Sequence, residues 1–296
     1  MTLKDYRHSF RFSHRLRVRW AEVDMQKIVF NAHYLMYFDT AISDYWRALG
    51  LPYVAAMAQL GGDLYVKKAS LEYNGSAAFD DVLQVALKCQ RIGTSSITFV
   101  GAVFRGAELL VTAELIYVFA DPATQTSRPV PDSLRQLLTA FEAGQPVVTV
   151  TLGAWTALEK QAARVRTAVF VQEQGIAADV EWDLADLTAL HAVATNGLGQ
   201  VVGTARLVRQ AAGVARVGRM AVTRELRGAG LGQQLLRALE AAAVARGDTQ
   251  VMLHAQQSAQ GFYERMGYVV RGPVFEEVGI PHVEMVKRLN DRLTTA

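Results

Sequence analysis

The sequence predicts two domains of the α+β class. Three observations carry that prediction. The chain has 296 residues, enough for two cores at about 100–200 residues each. Its first half holds one long amphipathic helix followed by almost nothing but strands. Its second half alternates strands with helices around a glycine-rich loop.

In the first half, Phe10–Trp20 alternates as a strand should, and Ala21–Phe30 reads as a loop. A helix is predicted over Ala32–Leu49, because Leu35, Phe38, Ile42, Tyr45, Trp46 and Leu49 fall on one face. Gly50-Leu51-Pro52 interrupts it. The runs Leu64–Tyr73, Val82–Arg91, Ser95–Phe104 and Glu108–Asp121 read as strands, with a turn at Arg105-Gly106-Ala107. One helix beside so much antiparallel strand implies a curved sheet wrapped around it.

Asp132–Glu142 reads as a short helix that Gly144-Gln145-Pro146 terminates. The boundary is therefore placed after Ala143, giving domains 1–143 and 144–296. In the second half a helix is expected near Ala157–Glu173. Strands follow at Thr188–Ala194, Val201–Gln210 and Val214–Val222, with Asn196-Gly197 at a turn. A helix over Leu231–Arg246 presents Leu231, Leu235, Leu236, Leu239 and Ala242 on one face. A strand at Gln250–His254, a helix at Ser258–Met266 and late strands complete a mixed sheet flanked by helices.

Composition narrows the function. Apolar residues make up 51% of the chain and charged residues 20%, a folded rather than a disordered composition. The net charge of +3 is spread over both halves, which argues against a nucleic-acid partner. A single cysteine, Cys89, leaves no intrachain disulfide and no cysteine-based zinc cluster, and no metal is expected. No run of about 18 apolar residues is present, and Met1–Phe12 is polar and basic. A cytoplasmic protein without a membrane partner is the expectation.

The segment Arg227-Gly228-Ala229-Gly230-Leu231-Gly232 lies between a strand and the helix opening at Leu231. A helix start carries unpaired N–H groups and about half a positive charge, and glycines let a phosphate approach the backbone. The spacing fits neither the dinucleotide fingerprint nor a Walker loop. It resembles the Q/R-x-x-G-x-G/A signature of the GNAT acyltransferases. Ala259–Tyr268 is similar to that family's A-x-x-F-Y-x-x-x-G-F/Y segment. Val169–Ile176 and Phe275–His282 are similar to ElaA-like members. The resemblance covers about Thr149–Leu289 and implies acetyl-CoA or another acyl-CoA as donor, with an amine as acceptor. It implies that the backbone of Met220, Ala221 and Val222 pairs with the pantetheine arm. The N–H groups of Arg227, Gly228, Ala229, Gly230, Leu231 and Gly232 would hold the pyrophosphate, and Tyr263 would be the acid toward the leaving thiolate. Gln257 and Ser258 stand where many members have an Asn. The general base is left among Glu173, Glu181, His191, His254 and Glu277, with His254 first because it ends a strand beside the expected cleft.

In the first half, Glu22 and Asp24 lie in the loop that leads into the long helix, with Asn31 as a candidate N-cap. A carbonyl at that helix start would be polarised by free N–H groups while a carboxylate attacked it or activated water. Acids before a helix also simply complement its dipole. Glu22, Asp24, Val29, Tyr34, Tyr37 and Asp39 resemble the pattern of the YbgC-like and 4-hydroxybenzoyl-CoA thioesterase branch of the hotdog fold, over about Phe12–Pro131. That resemblance implies thioester hydrolysis with Asp24 as the catalytic carboxylate, oxyanion donors near His33 and Tyr34, and a homodimer or homotetramer built through this domain. Lys27 stands where many members have Gly. The expectation is a bifunctional acyl-CoA thioesterase and N-acyltransferase. Its rival is a thioesterase whose second domain binds CoA as a sensor or scaffold without catalysis.

Overall fold

The computed structural model describes residues 3–289. The chain divides into two compact units, Met1–Val147 and Val148–Ala296, each with its own sheet.

The first unit runs α1 (Leu3–His8), β1 (Phe12–Arg17), a 3-10 turn at Trp20–Glu22, α2 (Asn31–Ala48), α3 (Tyr53–Leu60), β2 (Asp63–Tyr73), β3 (Val82–Ile92), β4 (Ser96–Arg105), β5 (Glu108–Ala120) and α4 (Asp132–Glu142). The strands form an antiparallel sheet in the order β1-β3-β4-β5-β2. Register slips after Val66 in β2 and Cys89 in β3, with another between β4 and β5, bend it. α2 is the central helix that the hotdog resemblance requires. It buries Tyr34, Tyr37, Phe38, Ala41, Ile42, Tyr45 and Trp46, an i, i+3, i+4 stripe against the sheet.

Two details seat that helix. A Cβ built on Gly101 would lie 2.4 Å from Phe38 Cε1, so only glycine in β4 lets the Phe38 ring this close. Tyr45 meets Phe99 and Phe141 edge-to-face at 5.3 and 5.2 Å between ring centres, the favoured aromatic geometry. The Tyr45 hydroxyl donates to Glu142 Oε1 at 2.5 Å, and the same oxygen takes the Cys89 N–H at 2.7 Å, next to the slip in β3. Cys89 is buried, and burial followed by the Glu142 charge pushes its thiol up to about 12. It packs, in line with its strand position.

The second unit runs β6 (Val148–Ala154), α5 (Trp155–Arg166) continuing into a π-helical turn at Thr167–Glu173, α6 (Ala178–Glu181), β7 (Leu190–Asn196), β8 (Val201–Ala211), β9 (Val214–Val222), α7 (Leu231–Ala245), β10 (Gln250–Gln256), α8 (Gln260–Arg265), β11 (Val269–Val270), β12 (Phe275–Glu277) and β13 (Ile280–Arg288). The sheet order is β11-β13-β10-β9-β8-β7-β6, with β12 on β13. Among the described strands only β9 and β10 pair in parallel, joined by α7 as a βαβ crossover. α7 buries Leu231, Leu235, Leu236, Leu239 and Ala243. It also buries Glu240, which accepts from the Tyr268 hydroxyl and the Lys287 ammonium at 2.8 Å each. This is the mixed sheet flanked by helices expected of the GNAT fold.

The elements differ from the sequence reading at their ends. β1 is shorter, because the chain turns at Trp20–Glu22. α1 and α3 were not anticipated, since each is too short to show a helical period. Among the described residues, no helix is long and apolar enough to cross a membrane. Gly101→Ala should destabilise the first unit by about 1–3 kcal/mol through overpacking against Phe38, measured as the shift of its denaturant midpoint.

Candidate functional sites

The second unit contains a cleft of about 170 Å³ lined by Val217, Gly218, Arg219, Met220, His254, Gln256, Tyr263 and Glu277 among others. Its origin is a splay between parallel strands. β9 and β10 pair from Val214 opposite Gln250 to Val217 opposite Leu253, and no further. Beyond that point Ala221 and Val222 pair with β8 on one edge, and the other edge of Met220, Ala221 and Val222 has no strand partner among the described residues.

The glycine loop adjoins the end of β9. Gly228 and Gly230 have φ of +88° and +82°, so glycine is required at both. Space above both is open, with no heavy atom within 4 Å of an added Cβ. Gly230 is the N-cap of α7 and supplies no capping side chain. The first N–H groups of α7 are therefore free for an anion. Gly232 needs no special φ and packs near Phe262 and Met220. Arg227 does not extend into open space. Its guanidinium makes a bidentate pair with Glu173 at 2.6 and 2.8 Å, and its Nε donates to Val222 O at 3.2 Å.

Tyr263 is 8% exposed, lines the cleft, and its hydroxyl has no hydrogen-bond partner among the described residues. Burial pushes the phenol up to about 12, which keeps it protonated. Of the five candidate bases, the structure brings two together. His254 Nδ1 lies 2.9 Å from Glu277 Oε2, and both line the cleft. Arg216 Nη2 also approaches Nδ1, at 3.0 Å. Guanidinium and carboxylate ask for opposite tautomers. A proton on Nδ1 satisfies the carboxylate and leaves Nε2 with a lone pair. Burial raises the Glu277 carboxyl, but the His254 hydrogen bond and nearby cations outweigh this and hold it below the ordinary range.

The other three candidates are otherwise engaged. The Arg227 hydrogen bonds hold the Glu173 carboxyl low. Glu181 is buried against Arg166 and Arg219. His191 is buried with Nε2 on Asp186 O at 2.9 Å. His282, which was not singled out, also lines the cleft and has its Nδ1 on Ile280 O at 2.8 Å. The sequence signal for it is weak, a lone His after Gly279-Ile280-Pro281.

In the first unit, Asp24 sits in a tight hairpin rather than an open loop. Val23 bridges Val29, Asp24 N–H donates to Ile28 O, and Lys27 N–H donates to Asp24 O. The Asp24 carboxylate is half-buried and accepts the Gln26 N–H on Oδ1 at 2.8 Å. Its Oδ2 has no partner among the described residues. The hairpin is tied to the helix by Glu22, which is 4% exposed. The Glu22 carboxylate accepts from the Arg19 N–H and Nε, each at 2.7 Å, and from the Tyr37 hydroxyl at 2.8 Å, while its carbonyl accepts the Phe30 N–H. Burial raises the Glu22 carboxyl, but the Arg19 and Tyr37 hydrogen bonds outweigh it and keep the group ionised. Tyr34, the other aromatic of the motif, accepts the Ala77 N–H on its hydroxyl at 2.8 Å.

Two details of the helix start differ from the sequence reading. Asn31 is not the N-cap: the cap is Phe30, with no side-chain hydrogen bond, and Asn31 is the first helical residue. The His33 N–H already donates to Phe30 O at 2.9 Å. The Asn31 and Ala32 N–H groups, just before His33, have no partner among the described residues. His33 Nδ1 is buried and has no partner. Among the described residues, no group of three or more His, Cys, Asp or Glu is placed to hold a metal.

Comparison with known proteins assigns both halves. Residues 18–138 match the family described as "Thioesterase-like superfamily", and residues 157–289 match "Acetyltransferase (GNAT) domain". In the second half, the "Uncharacterized N-acetyltransferase YjcF" of Bacillus subtilis is 37% identical over 129 residues, covering 43% of this chain and 91% of that protein. "Protein ElaA" of Escherichia coli is 35% identical over 132 residues, covering 43% of this chain and 84% of that protein. In the first half, a "Putative esterase" of Aquifex aeolicus is 33% identical over 94 residues, covering 32% of this chain and 73% of that protein.

Lys27 has φ +64°, the left-handed region that disfavours a side chain. Lys27→Gly should therefore stabilise the hairpin beside Asp24 by about 0.5–1 kcal/mol net of the extra freedom glycine has when unfolded. A higher thermal midpoint for the variant checks this.

Proposed function

Because residues 18–138 belong to the thioesterase-like superfamily and residues 157–289 to the GNAT acetyltransferase family, we propose that the protein is a bifunctional acyl-CoA enzyme. The first unit hydrolyses an acyl-CoA thioester through Asp24. The second transfers an acyl group, acetyl in the simplest case, from CoA to an amine.

One observation carries the transferase reading. The uncapped start of α7, with Gly228 and Gly230 in left-handed conformations, adjoins the opening between β9 and β10. An anionic head and an extended arm that offers amide groups to a strand edge fit that pair of features. In the proposed reaction His254 Nε2 takes a proton from the incoming amine, and Glu277 holds the imidazole through Nδ1. The amine nitrogen then bonds to the thioester carbon, the C–S bond breaks, and the sulfur takes the Tyr263 proton. A phenol raised to about 12 is protonated before the reaction and so has that proton to give. It regains one from the protonated base or from water.

For hydrolysis, the support is the half-buried Asp24 with Oδ2 unengaged, on a hairpin locked to the uncapped start of α2. The Asn31 and Ala32 N–H groups are the donors available to a developing oxyanion. The first unit is further proposed to pair with a second copy. Among the described residues β2 is an edge strand bonded only to β5, and such edges are normally covered. Val66 and Tyr73 on β2 and Leu35 and Met36 on α2 are exposed apolar side chains.

Thiol release from a panel of acyl-CoAs, with and without amine acceptors, tests both activities. Asp24→Asn keeps an oxygen for the Gln26 N–H, so the hairpin should persist while acceptor-independent release falls at least about 100-fold. Unchanged release would remove the thioesterase assignment. Tyr263→Phe should cut amine-dependent release about 10- to 100-fold with CoA binding retained. No acylation by the parent protein across a broad amine panel would instead favour a CoA-binding sensor. Light scattering should report a dimer or tetramer that Leu35→Glu with Met36→Glu reduces to a monomer. A monomeric parent protein would refute the pairing.

A further inference from the structure

The splay that creates the cleft coincides with a defect in β9. Across the ladder with β8, Thr204 faces Ala221 and Arg206 faces Gly218. β8 thus contributes one residue, Ala205, where β9 contributes two, Arg219 and Met220. That is a β-bulge, and it bends the strand that carries it. On the opposite edge of β9, pairing with β10 stops at Val217, two residues before the bulge begins. Arg219 itself has φ +49°, a conformation that costs an ordinary side chain. Something outside the local backbone must hold it.

Asp183 is placed to do so. Its two oxygens accept from both terminal nitrogens of Arg206, at 2.6 and 2.8 Å, and Oδ2 also lies 3.2 Å from Arg219 Nη2. One carboxylate therefore holds an arginine from β8 and an arginine from the bulge of β9, at the point where the ladder slips. Both arginines belong to a balanced cluster. Arg166, fully buried, binds Glu181 and Asp186, Arg206 also reaches Asp186, and Arg219 Nε lies 3.2 Å from Glu181 Oε2. Three guanidinium groups face three carboxylates, so the cluster carries no net charge into the interior.

We infer that Asp183 is a positioning residue: by clamping Arg206 to Arg219 it keeps the bulge in β9, and so sets the width of the opening that receives the donor's extended arm. It touches no reacting atom and acts through Arg219. The inference rests on the acyl-CoA reading of the second unit.

The clamp predicts a pattern of coupling that simple loss of stability does not. The side chain of Asp183 is 38% exposed, so Asp183→Asn is isosteric and leaves no void. Arg219→Gly places at the bulge the residue that takes φ +49° unaided. CoA is titrated by calorimetry into the full-length protein. The second-unit site is defined as the component lost in Gly230→Val. Asp183→Asn should weaken that component about fivefold. In the Arg219→Gly background, where the bulge needs no clamp, the same substitution should change it less than about twofold. Unchanged affinity in Asp183→Asn, or equal effects in the two backgrounds, overturns the clamp. If no component is lost in Gly230→Val, the CoA reading of this unit fails, a result distinct from a CoA site that is present but insensitive to Asp183.

Discussion

A helix cannot satisfy the N–H groups of its own first turn, and both candidate sites are built on a helix start that the chain leaves uncapped. For α7 the N-cap is Gly230, which has no side chain to offer. For α2 it is Phe30, which makes no capping bond. In each case the surrounding residues fix where the open donors point. In the first unit Glu22 does this: its carboxylate is locked by Arg19 and Tyr37, and its carbonyl consumes the Phe30 N–H. The return leg of the hairpin is thereby pinned one residue before the helix begins. The donors left over are those of Asn31 and Ala32. A buried carboxylate is expensive unless every lone pair is occupied, and here that requirement orients the helix start. Of the two acids in this loop, the buried one supports the hairpin and the half-buried one keeps an oxygen unengaged.

Backbone strain is concentrated at the same places. Five described residues other than glycine have positive φ: Lys27, Asp80, Gln125, Arg219 and Val278. Lys27 closes the Asp24 hairpin, and Arg219 and Val278 line the cleft. Strained positions persist only where the surroundings over-determine them. For Arg219 the surroundings are visible as two carboxylates. Val278 sits beside Gly279 in the two-residue turn of the β12–β13 hairpin and is half exposed.

What the sequence made legible was local and periodic. The stripe that became α2, the leucine face of α7 and the glycine spacing at its start all lie within one or two turns of chain, where residue order and geometry are tied together. The acids of the first loop were legible as a pair, but their division of labour was not, because it depends on Tyr37, fifteen residues away on α2. The pairing of His254 with Glu277 depends on β10 lying against β13, which folds back over β12. Nothing in the spacing of the two residues announces it. The arginine–carboxylate cluster draws on α5, α6, the segment after it, β8 and β9, so its members look like isolated surface charges in the sequence. The bulge in β9 leaves only a faint local pattern, a glycine inside the strand at Gly218.

The arginine of the loop motif has a role that its place in the sequence does not show. Arg227 precedes the glycines, and a cation beside a phosphate-sized opening invites the conclusion that it meets the phosphate. Its guanidinium instead braces the loop between the end of β9 and the π-helical turn, through Val222 O and both oxygens of Glu173. That arrangement removes Glu173 from the candidate bases and leaves anion binding to the backbone. The backbone is the better instrument for the purpose. Its donors at the start of α7 are fixed by the helix and carry its dipole, whereas a free arginine side chain would have to surrender its rotamer freedom on each binding event. A bidentate pair also holds the loop in place before any ligand arrives, which lowers the cost of binding through preorganisation. The opening arginine of the motif therefore acts on the loop, and in the proposed reading it is the loop that meets the anion.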